Sequence, residues 1–156
     1  MNRGVGAATA FARLYHLWFD DRLARADESA RQAHAVVGER VADVLALWDE
    51  RARSWLPGTP TVLRLEACDL AAFAMRAPHI ALLFGTVDTA APTAALGCAL
   101  HWECFRPCSY AIGRTVVDIE LETDEKGLLV GAQVALDDGG RIALGGRAVR
   151  ALPCAV

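Results

Sequence analysis

The sequence predicts an α+β domain in which an antiparallel sheet wraps a central apolar helix, with a helical extension at the N-terminus. Three observations carry that prediction. The C-terminal half alternates apolar and polar residues between Asp-Glu-Lys-Gly127 and Asp-Asp-Gly-Gly140 turns, a strong hairpin signal. The first third carries apolar residues at helical spacing. Between them lies His79–Ala91, an almost wholly apolar run with one acid, Asp88, in its second half.

The elements follow in order. Phe11, Leu14, Tyr15 and Trp18 mark one face of a first helix, which Asp20-Asp21 breaks. Ser29-Ala-Arg-Gln32 has the form of a capping box and predicts a second helix with the stripe Val37, Val41, Val44, Leu45, Trp48, Ala52 and Trp55. Leu56-Pro-Gly-Thr-Pro60 stops it, because proline cannot continue a helix. These helices make residues 1–60 an N-terminal extension packed on the same domain as residues 61–156.

Thr61–Glu66 is a strand candidate and Ala67–Arg76 is ambiguous. The apolar helix is expected from Ile80 to Ala91, ended by Pro92. Four strands are expected after it. In Leu96–Phe105, Leu100, Trp102 and Cys104 face one way while His101, Glu103 and Phe105 face the other. Thr115, Val117, Ile119 and Leu121 then alternate with Val116 and an acidic row of Asp118, Glu120 and Glu122, read as a solvated face. Leu128–Leu136 and Arg141–Arg150 complete the meander.

Composition excludes several classes. At 156 residues the chain fits one domain, long enough to bury about two-thirds of its unfolded surface. A hydrophobic share of 54% argues against disorder, and a net charge of −3 gives no attraction to nucleic acid or anionic membrane. No apolar run reaches the roughly 18 residues of a membrane span. Val5–Ala12 lacks a cleavage context, so no secretory signal is expected. Cys68, Cys98, Cys104, Cys108 and Cys154 are odd in number, which suits reduced, mostly buried thiols in the cytoplasm.

Asp88 is the residue in most need of explanation. A carboxylate in apolar surroundings is costly unless paired, hydrogen-bonded or kept for chemistry, and the C-terminal half of a helix disfavours it further. Catalysis is one explanation; a solvent-facing position or a bond to a nearby hydroxyl or amide is the other. Thr89 could orient a substrate or bond its own backbone. His79 could shape a site or stand as a loop histidine. His101-x-Glu103 with Pro107-Cys108 invites a zinc-deaminase reading, but no second cysteine follows two residues on, so no metal or cofactor is expected. Trp18, Trp48 and Trp55 are read as packing residues.

The segment His79-Ile-Ala-Leu-Leu-Phe-Gly-Thr-Val-Asp88-Thr-Ala-Ala resembles the helix-entry segment of phenylacetyl-CoA-thioesterase-like hotdog proteins. There a His-Gly-Gly triplet opens an apolar helix and an Asp follows the His at the same spacing. Leu100–Pro107 resembles the family strand ending in Arg-Pro, and Val134–Ala143 its last hairpin. The resemblance covers about Thr61 to Leu152. It implies a hotdog fold, assembly as a homodimer or homotetramer, and hydrolysis of an acyl thioester on coenzyme A or acyl-carrier protein. On that reading Asp88 activates water or attacks the carbonyl, and His79 shapes the turn. The Ile80 and Ala81 amides at the helix N-terminus hold the oxyanion, and Thr89 touches substrate. Ile80 and Ala81 stand where the family has two glycines, so side chains occupy the expected approach to the backbone. Two other readings stay open: a non-catalytic hotdog that binds acyl groups or serves assembly, and a nuclear-transport-factor-2-like barrel for isomerase or small-ligand work.

Overall fold

The computed structural model describes residues 26–55, 61–74, 79–90, 100–145 and 150–152. Helix α1 (Ala26–Ala35) leads into β1 (Val41–Asp49), β2 (Ser54–Trp55), β3 (Thr61–Leu65), β4 (Asp69–Ala74) and β5 (Ile80–Gly85). Then come β6 (Leu100–Cys104), a 3₁₀ turn (Arg106–Ala111), β7 (Val116–Thr123), β8 (Leu129–Leu136), β9 (Arg141–Gly145) and β10 (Arg150–Leu152). Among the described residues every strand pairing is antiparallel.

The first sheet runs β2-β1-β3-β4-β5, with β6 also on β1; the second runs β10-β9-β8-β7. A bridge between Arg40 and Thr115 joins them. It is flanked by bonds from the Gly38 N–H to the Val116 carbonyl (2.7 Å) and from the Val116 N–H to the Glu39 carbonyl (2.9 Å). One core lies between the sheets. Val44, Leu63, Leu70 and Leu82 from the first meet Val134, Leu136, Ile142 and Leu144 from the second, with Val36 beside α1 and Cys108 from the 3₁₀ turn. The α+β class and the mostly antiparallel sheet therefore agree with the sequence reading.

The central helix does not. Among the described residues the ten-residue α1 is the only α-helix, and the first six residues of the expected Ile80–Ala91 helix form strand β5. Ile80 and Leu82 enter the core cluster, while Ala81 and Leu83 are buried on the opposite face. A strand buried on both sides reads as a continuous apolar run, so neither period shows in its sequence. No helix among the described residues is long and apolar enough to cross a membrane.

The predicted helix of residues 29–55 is corrected in the same way. Its helical part ends at Ala35, Ser29 lies inside α1 instead of capping it, and Val41–Asp49 is the strand at the centre of the first sheet. Gly38 has φ +94°, a conformation open to glycine and unfavourable for a β-branched residue, and it turns the chain out of the helix. Beyond it Val41, Val44 and Trp48 favour extended backbone. Val44–Leu47 are all buried, which again hides the alternation.

The expected C-terminal strands stand close to their predicted positions, β6 among them though it pairs with β1 in the first sheet, with two further corrections. A β-bulge between Val116 and Asp118 reverses the facing of Val116 and Val117: Val116 is fully buried and Val117 is 48% exposed. Arg141–Arg150 is two strands, for Arg150 pairs back on Ala143. The acidic row is exposed as expected, with Glu122 accepting from Gln133 at 2.7 Å. The first predicted helix, Pro92, Cys98 and Cys154 lie outside the described residues.

Candidate functional site

The residues expected to form a hydrolytic centre sit at the two ends of β5. His79 precedes it and Asp88 follows its last residue by three. In a helix nine residues span about 13 Å. Six residues of strand alone put roughly 20 Å between the ends. His79 turns to another partner: its Nε2 lies 2.8 Å from Asp124 Oδ2 in the β7–β8 turn. Ile80 and Ala81 are successive strand residues paired with Ala74 and Phe73. Successive N–H groups of a strand point to opposite edges, so these two do not converge on one oxygen.

Asp88 is exposed, and its Oδ1 accepts the Ala90 N–H at 3.0 Å in an Asx-turn. The surrounding loop is fixed by a different acid. Asp69, with its side chain 6% exposed, accepts Arg64 Nε at 3.0 Å on Oδ1, and Arg64 Nη2 at 3.2 Å on Oδ2. The same Oδ2 accepts the Val87 N–H at 2.9 Å. Arg64 also donates to the Val87 carbonyl at 3.2 Å and reaches the Thr89 hydroxyl at 3.5 Å. The Asp69 hydrogen bond raises the Arg64 guanidinium above its usual pKa, against the opposing effect of burial. Thr89 is thus part of a structural clamp.

The His79–Asp124 pair is a second tie, between the start of β5 and the second sheet. Asp124 Oδ1 also accepts the Lys126 and Leu128 N–H groups, both at 2.9 Å. His79 first, then the Leu128 amide, holds the Asp124 carboxyl below the usual carboxylate range. A depressed folded-state pKa gives stability that is complete above the unfolded value, near pH 4, and is lost as pH falls through the lower folded value. The stability advantage of the native chain over Asp124→Ala is therefore expected to shrink as pH falls below about 4. Denaturant titrations at stepped pH check this; an advantage that instead grew in acid would refute the pair's role.

Among the described residues, three ligand-capable side chains come together at the β1–β2–β6 end of the first sheet. The register pairs Trp48 with His101 and with Trp55, and Ala46 with Glu103, which puts these residues on one face. His101 and Glu103 share that face as expected, and Cys104, opposite Leu45, is on the other. His101 Nε2 lies 2.7 Å from Glu103 Oε1 and 3.3 Å from Glu50 Oε1. The three ligand-capable atoms fall within 4.8 Å of one another.

The position of Glu50 is set by its neighbour. Asp49 is buried, and its Oδ1 accepts the N–H groups of Arg51 (2.9 Å) and Ala52 (3.2 Å), holding the β1–β2 turn. Beside the polar group, Trp55 packs edge-on against Trp48 and against Phe105, both with ring centroids 5.1 Å apart. Trp48 and Trp55 pack as the sequence suggested, though on a sheet; Trp18 lies outside the described residues. A helical period sets Glu50 on a solvent face of its own, and only the β1–β6 pairing brings it beside His101 and Glu103.

Of the described thiols Cys108 is buried, while Cys68 and Cys104 are half-buried. Cys68, Cys104 and Cys108 are unpaired, and burial pushes the Cys108 thiol up to about 11. Fold and site together define an α+β domain of two antiparallel sheets with an imidazole–carboxylate group at one end. Compared with protein-family models, curated proteins and solved structures, the chain matches none.

Proposed function

We propose that this domain works by binding, without hydrolysing thioesters, and that the β1–β2–β6 end is its recognition surface. The observation that supports this most strongly is the strand at Ile80–Gly85, which gives the Ile80 and Ala81 amides divergent directions and parts them from Asp88. An oxyanion site needs converging donors at a helix start or nest. The ligand suited to the recognition end carries an apolar portion for Trp48, Trp55 and Phe105 and an electropositive portion for Glu50 and Glu103.

The hotdog relation is supported by the antiparallel meander alone, since the helix that defines the class is strand β5. Self-association as a homodimer or homotetramer and a cytoplasmic setting belong to the same proposal, the latter supported by the three unpaired thiols. Free-thiol release from aromatic and short-to-long aliphatic acyl-CoA esters tests the non-hydrolytic reading. The expected rate is that of buffer for native protein and Asp88→Asn alike. Release that collapses in Asp88→Asn, with the fold intact by circular dichroism, would restore the thioesterase reading.

A further inference from the structure

We infer that Glu50, His101 and Glu103 form a surface site for one divalent transition-metal cation of the manganese-to-zinc series. The inference rests on the binding role proposed for this end of the sheet and names the electropositive part of its ligand.

His101 stands in an electrostatic conflict. One ring nitrogen, His101 Nε2, faces two carboxylate oxygens, at 2.7 Å and 3.3 Å. If it carries a proton, a single N–H serves two acceptors. If it carries none, its lone pair meets those of both oxygens. In either state a second negative group is left close by without an equivalent partner. A single cation resolves all three demands, because it accepts one lone pair from each residue.

The spacing fits as well. Metal–nitrogen and metal–oxygen bonds of about 2.1 Å, at tetrahedral or octahedral angles, set neighbouring ligand atoms about 3.0–3.4 Å apart. The two nitrogen–oxygen distances lie at that separation within about 0.3 Å. The set of one imidazole and two carboxylates suits borderline cations, whereas calcium prefers an all-oxygen shell. His101 and Glu103 come from one strand two residues apart, and the Asp49 bonds fix the turn that presents Glu50. Their scaffold is thus held by ladder and turn, as a built site requires. The side chains are 39%, 47% and 56% exposed for His101, Glu103 and Glu50, which leaves an entry path and open coordination positions toward solvent.

Cobalt(II) and zinc(II) are the probes. Titration of the full chain by calorimetry is expected to give one saturable site, at least tenfold weaker in His101→Ala and in the doubly substituted Glu50→Gln, Glu103→Gln chain. The glutamates are surface residues, so the double variant keeps the fold if the histidine variant does not. Cobalt(II) is expected to quench tryptophan fluorescence, Trp48 lying directly across from His101, without a thiolate charge-transfer band. Unchanged affinity in the double variant, a thiolate band lost in Cys104→Ser or Cys68→Ser, or no saturable binding to millimolar metal each overturns the proposal. None of these readouts is thioester release, so failure here leaves the non-hydrolytic reading to its own test.

Discussion

Asp69→Ala is expected to lower stability by about 3 kcal/mol, which for a chain of this size is roughly 10 °C in Tm. The carboxylate does three things at once. It takes both faces of the Arg64 fork, it accepts the Val87 N–H, and it does so while almost wholly buried. Deleting it strands a guanidinium and a backbone donor. Breaking a buried pair costs about 3–5 kcal/mol; the Arg64 side chain is 34% exposed, so water recovers part of that loss. Asp69→Asn keeps one acceptor and is expected to lose less. The Arg64→Met, Asp69→Leu double variant is expected to regain much of the deficit, because no charge then lacks its partner. Hydrogen exchange supplies the local readout: the Val87 amide is expected to lose protection in Asp69→Ala before the core strands do. A change below about 0.5 kcal/mol, the size of an ordinary surface substitution, would sink the clamp.

What the sequence made legible follows from burial. Where one face meets water, alternation is visible. Asp118, Glu120 and Glu122 therefore marked an outer face correctly, and the Asp-containing turns at Gly127 and Gly139, both with positive φ, placed two hairpins. Where both faces are buried, the pattern vanishes. Val44–Leu47 and Ile80–Leu83 are apolar and buried at every position, and such a run imitates a helix of any orientation. Helical spacing over Val37–Trp48 was a coincidence, and Gly38, with its positive φ, is the residue that breaks it. The bulge at Val116 left no sequence mark, and it reversed the facing of that residue and Val117.

The candidate site was half legible for the same reason. His101 and Glu103 share a face at a spacing of two, and this held. Glu50 joins them only through the β1–β6 register, a non-local fact that a local period cannot carry. Conversely, the Asp88 reading assumed helical geometry throughout. With the strand in place, Asp88 becomes a turn residue and the buried acid is Asp69, hidden in a stretch that gave no clear period.

The strand at Ile80–Gly85 leads to the second large effect. Leu82 is fully buried in the intersheet core, and Leu83, 9% exposed, packs on the other side of the sheet. Leu82→Ala is expected to cost about 3–4 kcal/mol and Leu83→Ala about 2–3, from lost transfer free energy together with the cavities left behind. The informative quantity is their sum. Adjacent residues of a strand project to opposite faces, into separate packing environments, so the two losses should add to within about 0.5 kcal/mol. In a helix gripped by a sheet the same two side chains stand about 100° apart on one apolar surface, share neighbours, and are expected to couple by more than that. Denaturant midpoints for both single variants and the double variant therefore decide between a strand and a central helix. A near-neutral Leu83→Ala would rule out burial of the second face, and a large coupling would return this segment to the helix that its composition first suggested.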